Sequence, residues 1–424
     1  LDSKPLILVF GDAPSAMTGF GVVNKQTFRR LKDKYTLIFL GVNSTGDPLP
    51  EAKEFNIYPC NTDPFGRDRL KGLLFAYKPD LLYTLNDYDA LGWVMPDLAE
   101  ARSKLQKDIP WVFYTPIDGK PVYKKYIDFI KTHVDVPFTT TEFGQKAILE
   151  TDPDFKIPFV YHGVDYNLFR KLDPNIPLAK DGGTVNSEKE RLGLKGKFVI
   201  LMVGVNQIRK QYNIALEAFA EFSADKENAI MLLHCTRNTS YGWDLDALIG
   251  YLSDKNVAEG KQPINKKVVF TNGIVGPLGI AEQELALLYN FADVFLNSSC
   301  GEGFGLPLVE AMATELPIIT HNATAMPEIV GDAALLIDTA YEYIFPFQDR
   351  TLSRPIPKKD DIVKHLNELY ENKELRETLG TKARERIISD PRFSWDYCAQ
   401  EVDKKIQEGL QDNRLLDLSE QEIL

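Results

Sequence analysis

FADVFLNSSCGEGFGLPLVEAMATELPIITHNATAMPEIVGDAALLID, residues 291–338, carries the reading of the fold. An apolar run at 293–298 has the length and bulk of a buried strand. It passes into a loop holding Gly301, Gly303 and Gly305, and then into a helix that starts near Pro307. Proline suits a first helical position because its missing N–H would be unpaired there anyway. Glycines let backbone approach a ligand closely, and the free N–H groups and positive dipole end of a helix start attract an anion such as a diphosphate. Glu302 lies in the loop and Glu310 about one helical turn past Pro307, so both can face one crevice at the carboxyl ends of the strands. A carboxylate repels phosphate and is better aimed at sugar hydroxyls. The competing reading is that Glu310 complements the helix dipole and Glu302 is solvated.

The same alternation of short aliphatic runs and longer amphipathic stretches extends outward in both directions, as expected for parallel sheets covered by helices. Strands are predicted at 5–10, 35–41, 80–84, 110–114, 137–141 and 157–161, and again at 198–205, 229–235, 267–271, 293–298, 316–320 and 333–337. Between the sets lies DPNIPLAKDGGTVNSEKERLGLKGK, residues 173–197, rich in Pro, Gly and charge and read as a linker or surface insertion. The expected fold class is therefore α/β, with two doubly wound domains, 1–175 and 190–392; the resemblance set out below implies that they are Rossmann-like and face each other across a cleft. A last amphipathic helix within 394–424 can pack on either domain. Upstream of the glycine loop, VGVNQIRKQ (203–211) ends a strand and delivers Arg209 and Lys210, two cations suited to a diphosphate.

Here the sequence resembles the large family of retaining GT-B glycosyltransferases, the group one family, whose hallmark is a Glu, seven residues, then a second Glu. Glu302 and Glu310 stand in that relation inside EGFGLPLVEAMA, and the family's Pro-Glu-Ile-Val-Gly-Asp segment follows as Pro327 to Asp332. The resemblance implies that Glu302 contacts the donor sugar and Glu310 the ribose hydroxyls. It gives the amides of Phe304, Gly305 and Leu306, with Gly303 before them, to the sugar and phosphates. In the family a glycine is commonly followed directly by Arg, with Lys six positions after it. Lys210 keeps that spacing from Gly204, but Val205 holds the arginine place, so the second charge falls to Arg209. The donor base, UDP or GDP, is expected to be read by backbone around Asn272 to Val275.

The first half matches more loosely. Thr18-Gly19-Phe20-Gly21 follows the first strand, so Gly19 and Gly21 are candidates for close approach to the donor phosphate or the acceptor, with an ordinary turn as the alternative. TPIDG (115–119) lies where the family often presents a histidine, which makes Asp118 a candidate for positioning the donor sugar or, equally, a turn residue. Tyr161–Phe169 resembles the family's Asn-Gly-Val-Asp-x-x-x-Phe segment, with His162 in the asparagine's place. Thr141 is expected to cap a helix beginning at Glu142.

Bulk properties narrow the class. With 61 acidic against 49 basic residues the net charge is −12, which disfavours a protein that wraps nucleic acid. Four scattered cysteines, Cys60, Cys235, Cys300 and Cys398, suggest neither a zinc site nor a disulfide framework and fit a reducing cytoplasm. The first apolar run stops at Gly11-Asp12 and reads as a strand, not a signal peptide. No run reaches the roughly 20 residues of a transmembrane helix, which leaves peripheral membrane contact open. Asp-x-Asp triplets at Asp87/Asp89, Asp152/Asp154 and Asp244/Asp246 are unsurprising in an acidic chain. With cations and a helix terminus at hand, neither a metal nor another cofactor is expected. The function anticipated is retaining transfer of a hexose from a nucleoside diphosphate sugar to a glycan, lipid or small-molecule acceptor. A sugar phosphorylase, an epimerase or a non-enzymatic sensor on the same frame are the alternatives.

Overall fold

The periodicities of the two halves resolve into two parallel sheets in a computed structural model that describes residues 4–44, 54–60, 63–178, 182–271, 279–347 and 350–411. The first comprises β1 (Leu6–Asp12), β2 (Thr36–Val42), β3 (Asn56–Pro59), β4 (Leu81–Leu85), β5 (Trp111–Thr115) and β6 (Val136–Thr139), in the order β3-β2-β1-β4-β5-β6. The second comprises β7 (Phe198–Val203), β8 (Ala229–His234), β9 (Val268–Phe270), β10 (Val294–Asn297), β11 (Ile318–His321) and β12 (Ala334–Ile337), in the order β12-β11-β10-β7-β8-β9. Helices cover both faces, so central strands such as β4, β5 and β8 are buried along their whole length. This is why they read as continuous apolar runs rather than alternating ones. In each sheet the strand order reverses beside the first strand of the unit, between β1 and β4 and between β7 and β10, which opens a crevice at the carboxyl ends of those strands.

Three elements differ from the sequence expectation. β3 was not foreseen: it is a four-residue edge strand, only partly buried and ending on Pro59, too short for a periodic signal. Residues 157–161 form no strand; Pro158 has no N–H to give, and pairing is limited to one bridge between Thr139 and Phe159. After β12 the chain makes an unforeseen antiparallel hairpin, β13 (Thr339–Phe347) with β14 (Arg350–Pro357).

Helix starts follow the local chemistry. Thr18 Oγ1 accepts from Gly21 N at 3.0 Å and Thr141 Oγ1 from Gly144 N at 3.2 Å, each satisfying a donor that the helix leaves unpaired. The last helix, Trp395–Gln411, crosses back from the second unit to the first. There Trp395, Cys398, Val402 and Ile406 are buried with Tyr83, Tyr114 and Phe138. Gly163 permits this crossing, since a β-carbon there would lie 2.4 Å from Trp395 N. Residues 412–424 lie outside the described residues.

Polar contacts join the two units along the cleft. Thr140 Oγ1 donates to Gly303 O at 2.6 Å, and Lys25 Nζ pairs with Glu282 at 2.6 Å. Glu328, from the Pro327–Asp332 segment, accepts the amides of Glu142 and Phe143 at 2.8 Å each and the Tyr161 hydroxyl at 2.6 Å. A carboxylate of the second unit thereby caps the helix Glu142–Thr151 of the first.

Candidate active site

The crevice of the second sheet is lined by the two loops that leave β7 and β10, its strands at the reversal point. The β7 loop runs through a short 3₁₀ turn, Ile208–Lys210, and the β10 loop through Ser298–Gly305 to the helix Leu306–Ala313. Backbone joins them: Cys300 N donates to Arg209 O at 2.8 Å and Ser298 Oγ to Lys210 O at 2.9 Å. The two cations are therefore fixed against the glycine loop before any ligand arrives.

Glu302 sits between them. Lys210 Nζ lies 2.5 Å from one carboxylate oxygen and Arg209 Nη1 3.0 Å from the other, while Arg209 also donates to Gly301 O at 2.7 Å. Burial alone would raise the Glu302 pKa, but Lys210 and Arg209 outweigh it and hold the carboxyl at about 2. The group is an anion throughout the physiological range. Burial lowers Lys210, against the pull of Glu302, while the neighbouring carboxylates hold the Arg209 guanidinium firmly protonated. Gly204 lies beneath the Lys210 chain, where a β-carbon would be 3.4 Å from Cε. Val205 is 49% exposed and brings no charge.

Glu310 is held differently. It is buried on the helix Leu306–Ala313 and accepts from the Tyr289 hydroxyl at 2.7 Å, and among the described residues no cation forms an ion pair with it. Burial pushes its pKa up to about 7, the Tyr289 bond opposes the rise and nearby Glu282 adds to it. The two glutamates of the motif thus differ in state near neutrality, one a fixed anion and the other poised to titrate. The helix begins at Leu306 behind Gly305 (φ +92°), with proline in its first turn and no side chain capping it.

The glycines divide by what their missing side chains face. At Gly303 a β-carbon would meet Pro116 Cβ at 2.5 Å, and at Gly301 it would meet Asp118 O at 2.1 Å. Their small size lets the first unit's 115–119 loop lie on the glycine loop. Gly21 likewise is required by its own turn, where a β-carbon would be 2.2 Å from Ala16 O, whereas Gly19 faces Leu306 across the cleft, its β-carbon position 3.6 Å from Cδ1. Phe304 is buried, its ring packed on Tyr161 and His162. His162 is itself buried, paired with the Tyr114 hydroxyl at 2.9 Å and pushed down to about 3 by burial, so it packs as a neutral ring. Asn272 lies outside the described residues.

Asp118 reaches the same cluster from the first unit, with its carboxylate 4.0 Å from Arg209 Nε. Its closest partner is a residue sequence reasoning missed. Arg354 of β14 donates to both carboxylate oxygens, at 3.0 and 3.1 Å, and also to the Asp118 carbonyl. No local signal marks it, since a lone arginine in a short hairpin strand is ordinary until the fold brings it to the cleft. Among the described residues, no group of three or more His, Cys, Asp or Glu is placed to hold a metal ion, and no helix is long and apolar enough to cross a membrane.

Comparison with known proteins agrees with this frame. Residues 261–386, which include Glu302, Glu310 and Pro327–Asp332, match the family model Glycosyl transferases group 1. The chain is 29% identical over 270 residues to the alpha-monoglucosyldiacylglycerol synthase of Acholeplasma laidlawii, covering 63% of this chain and 56% of that protein. It is 29% identical over 123 residues to the O-antigen chain mannosyltransferase B of Escherichia coli, covering 29% and 27%. The matched region thus spans between about a quarter and just over half of these relatives' lengths. In fold it is similar to Anabaena HepE, solved in complex with UDP and glucose, with a TM-score of 0.70 at 16% identity over 95% of this chain and 99% of that one. It is similar also to the sucrose-phosphate synthase of Thermosynechococcus elongatus, with a TM-score of 0.69 at 16% identity over 96% and 99%. The chain thus shares the two-sheet GT-B architecture of these structures, and its glutamate-bearing stretch, residues 261–386, is similar to the glycosyl transferases group 1 family.

Proposed function

We propose that this protein transfers a hexose from a nucleoside diphosphate sugar to a hydroxyl acceptor, with retention of the donor's anomeric configuration. The observation that carries the reading is the anionic Glu302 held between Lys210 and Arg209 at the strand reversal of the second sheet, beside a helix N-terminus. A diphosphate arriving there draws the two cations and the amides of Phe304, Gly305 and Leu306, which frees Glu302 to accept hydroxyl protons from the sugar. Glu310 lies on the same helix and is assigned the ribose hydroxyls. UDP is the first nucleotide to test, because the similar fold of HepE was solved with it.

A double displacement needs a carboxylate free to attack the anomeric carbon. Glu302, once the diphosphate has drawn its cations, is assigned to the sugar hydroxyls, and both oxygens of Asp118 accept from Arg354. A front-face route fits better: the bond from the anomeric carbon to the diphosphate breaks as the acceptor oxygen bonds on the same face. The departing phosphate oxygen takes the acceptor's proton, and Lys210, Arg209 and the helix amides stabilise its developing charge. The diphosphate's charge is met by protein groups alone, so no metal is called for in this scheme.

A thermal-shift panel of UDP, GDP and their hexose conjugates tests the donor. A ligand at about a hundred times its dissociation constant adds roughly 2.7 kcal/mol to stability, and no shift with any nucleotide would overturn the proposal. Turnover of the bound sugar separates an enzyme from a sensor. NMR of the product from an α-linked donor tests the stereochemistry, and a β-linked product formed directly would refute retention.

A further inference from the structure

Arg354 belongs to a hairpin of the second unit yet delivers its guanidinium to a loop of the first. Its side chain is 9% exposed and that of Asp118 27%, so the pair lies at the floor of the cleft rather than on its rim. The fit is built on both sides. A β-carbon at Gly301 would lie 2.3 Å from Arg354 Nη1 and one at Gly119 2.8 Å from it, so the guanidinium slots between a glycine of each unit. A main-chain bridge between Lys120 and Ser353 brings the hairpin to the loop directly beside it.

The charges form a chain: Arg354 on Asp118, Asp118 4.0 Å from Arg209, and Arg209 with Lys210 on Glu302. Asp118 is thus within a small rotation of Arg209, and what holds it away is Arg354, whose Nη2 lies against both carboxylate oxygens while Nη1 donates to the carbonyl of the same residue, a two-nitrogen grip that fixes the side chain relative to its own backbone. We propose that Arg354 is a positioning residue that keeps Asp118 off Arg209, so that the Arg209 guanidinium stays available to the donor's diphosphate. Arg354 itself needs no contact with the donor in this role. Without it Asp118 turns onto Arg209, and a diphosphate has to displace two carboxylates from that cation instead of one.

This inference rests on the assignment of Arg209 and Lys210 to a diphosphate, and the test separates the two. Calorimetric titration of the full chain with UDP and, in parallel, GDP is carried out on the wild type, Arg354→Gln, Asp118→Asn and the double variant. Thermal melts monitored by circular dichroism confirm that each is folded. The expected result is affinity about tenfold weaker in Arg354→Gln, within about twofold of wild type in Asp118→Asn, and restored in the double variant, a non-additive cycle. Wild-type affinity in Arg354→Gln would overturn the inference. Failure of Asp118→Asn to rescue would overturn it too, since Arg354 would then act on the nucleotide or on the fold directly. A tenfold gain in Asp118→Asn alone would show a general charge effect and also refute positioning. Should Arg354→Gln not fold, Arg354→Lys keeps the charge and loses the second nitrogen that holds the Asp118 carbonyl, and the same rescue is required of it. A wild-type protein blind to both nucleotides would instead sink the functional proposal itself.

Discussion

Donor binding is expected to release a proton from Glu310, and the pH dependence follows from the site's geometry. In the ligand-free protein burial raises this carboxyl from 4.5 to about 7. Because the folded value is the higher one, the contribution to stability is fully present below about pH 4.5 and is lost as pH rises through about 7, amounting to about 3 kcal/mol. Ribose hydroxyls donating to Glu310 favour the ionised form and return its pKa toward the ordinary range. Affinity for a nucleotide sugar should then climb about tenfold per unit below pH 7 and level off above it, a difference of about a hundredfold between pH 5 and pH 8. The buried histidines do not interfere: burial holds His162 at about 3 and His234 and His321 at about 4, so all three stay neutral across this window. UDP-glucose is the right probe, because free UDP carries a terminal phosphate that itself titrates near pH 6. Calorimetry at pH 6 in buffers of differing ionisation enthalpy counts the protons directly, with nearly one released per site expected in the wild type and none in Glu310→Gln. Affinity independent of pH from 5 to 8, or equal proton release in both proteins, would refute the assignment of Glu310 to the ribose.

Other perturbations probe the remaining parts of the site. Lys210→Met should cut donor use ten- to a hundredfold, since a charge-assisted hydrogen bond contributes about 1.5–3 kcal/mol. It should also lower the melting temperature, because buried Glu302 keeps only Arg209; unchanged kinetics in a folded variant would remove Lys210 from the site. Gly303→Ala should impair transfer by forcing the units apart at Pro116, where the new β-carbon would be 2.5 Å from Cβ, and full transfer activity would show that the contact yields at little cost. Glu328→Ala removes the cap that the second unit places on the helix Glu142–Thr151; a stability loss of about 1–2 kcal/mol in denaturant titration is expected, and none would mean that water replaces the carboxylate.

The fold was legible because its information is local. Buried parallel strands leave continuous apolar runs, and eleven of the twelve described strands of the two parallel sheets coincide with runs read from residues alone; the exception among them, β3, is short, half-buried and ends on proline. The glutamate pair stood out for the same reason, since strand, glycine loop and helix start are consecutive in the chain, whereas Lys210, 92 residues before Glu302, stood out by its spacing from Gly204. What residues 291–338 could not reveal is which neighbours their glycines face. Gly301 and Gly303 look like ligand-binding glycines, and only the packing of the second domain on loop 115–119 shows that they admit Pro116, Asp118 and Arg354. Likewise the amphipathic helix at 395–411 could serve either unit, and the tertiary structure assigns it to the first through Trp395 and Val402. Periodicity records that a face is buried, not against what. Arg354 lies 236 residues from Asp118, and no pattern along the chain encodes a meeting made by two domains closing; the network that directs Arg209 exists only once they do.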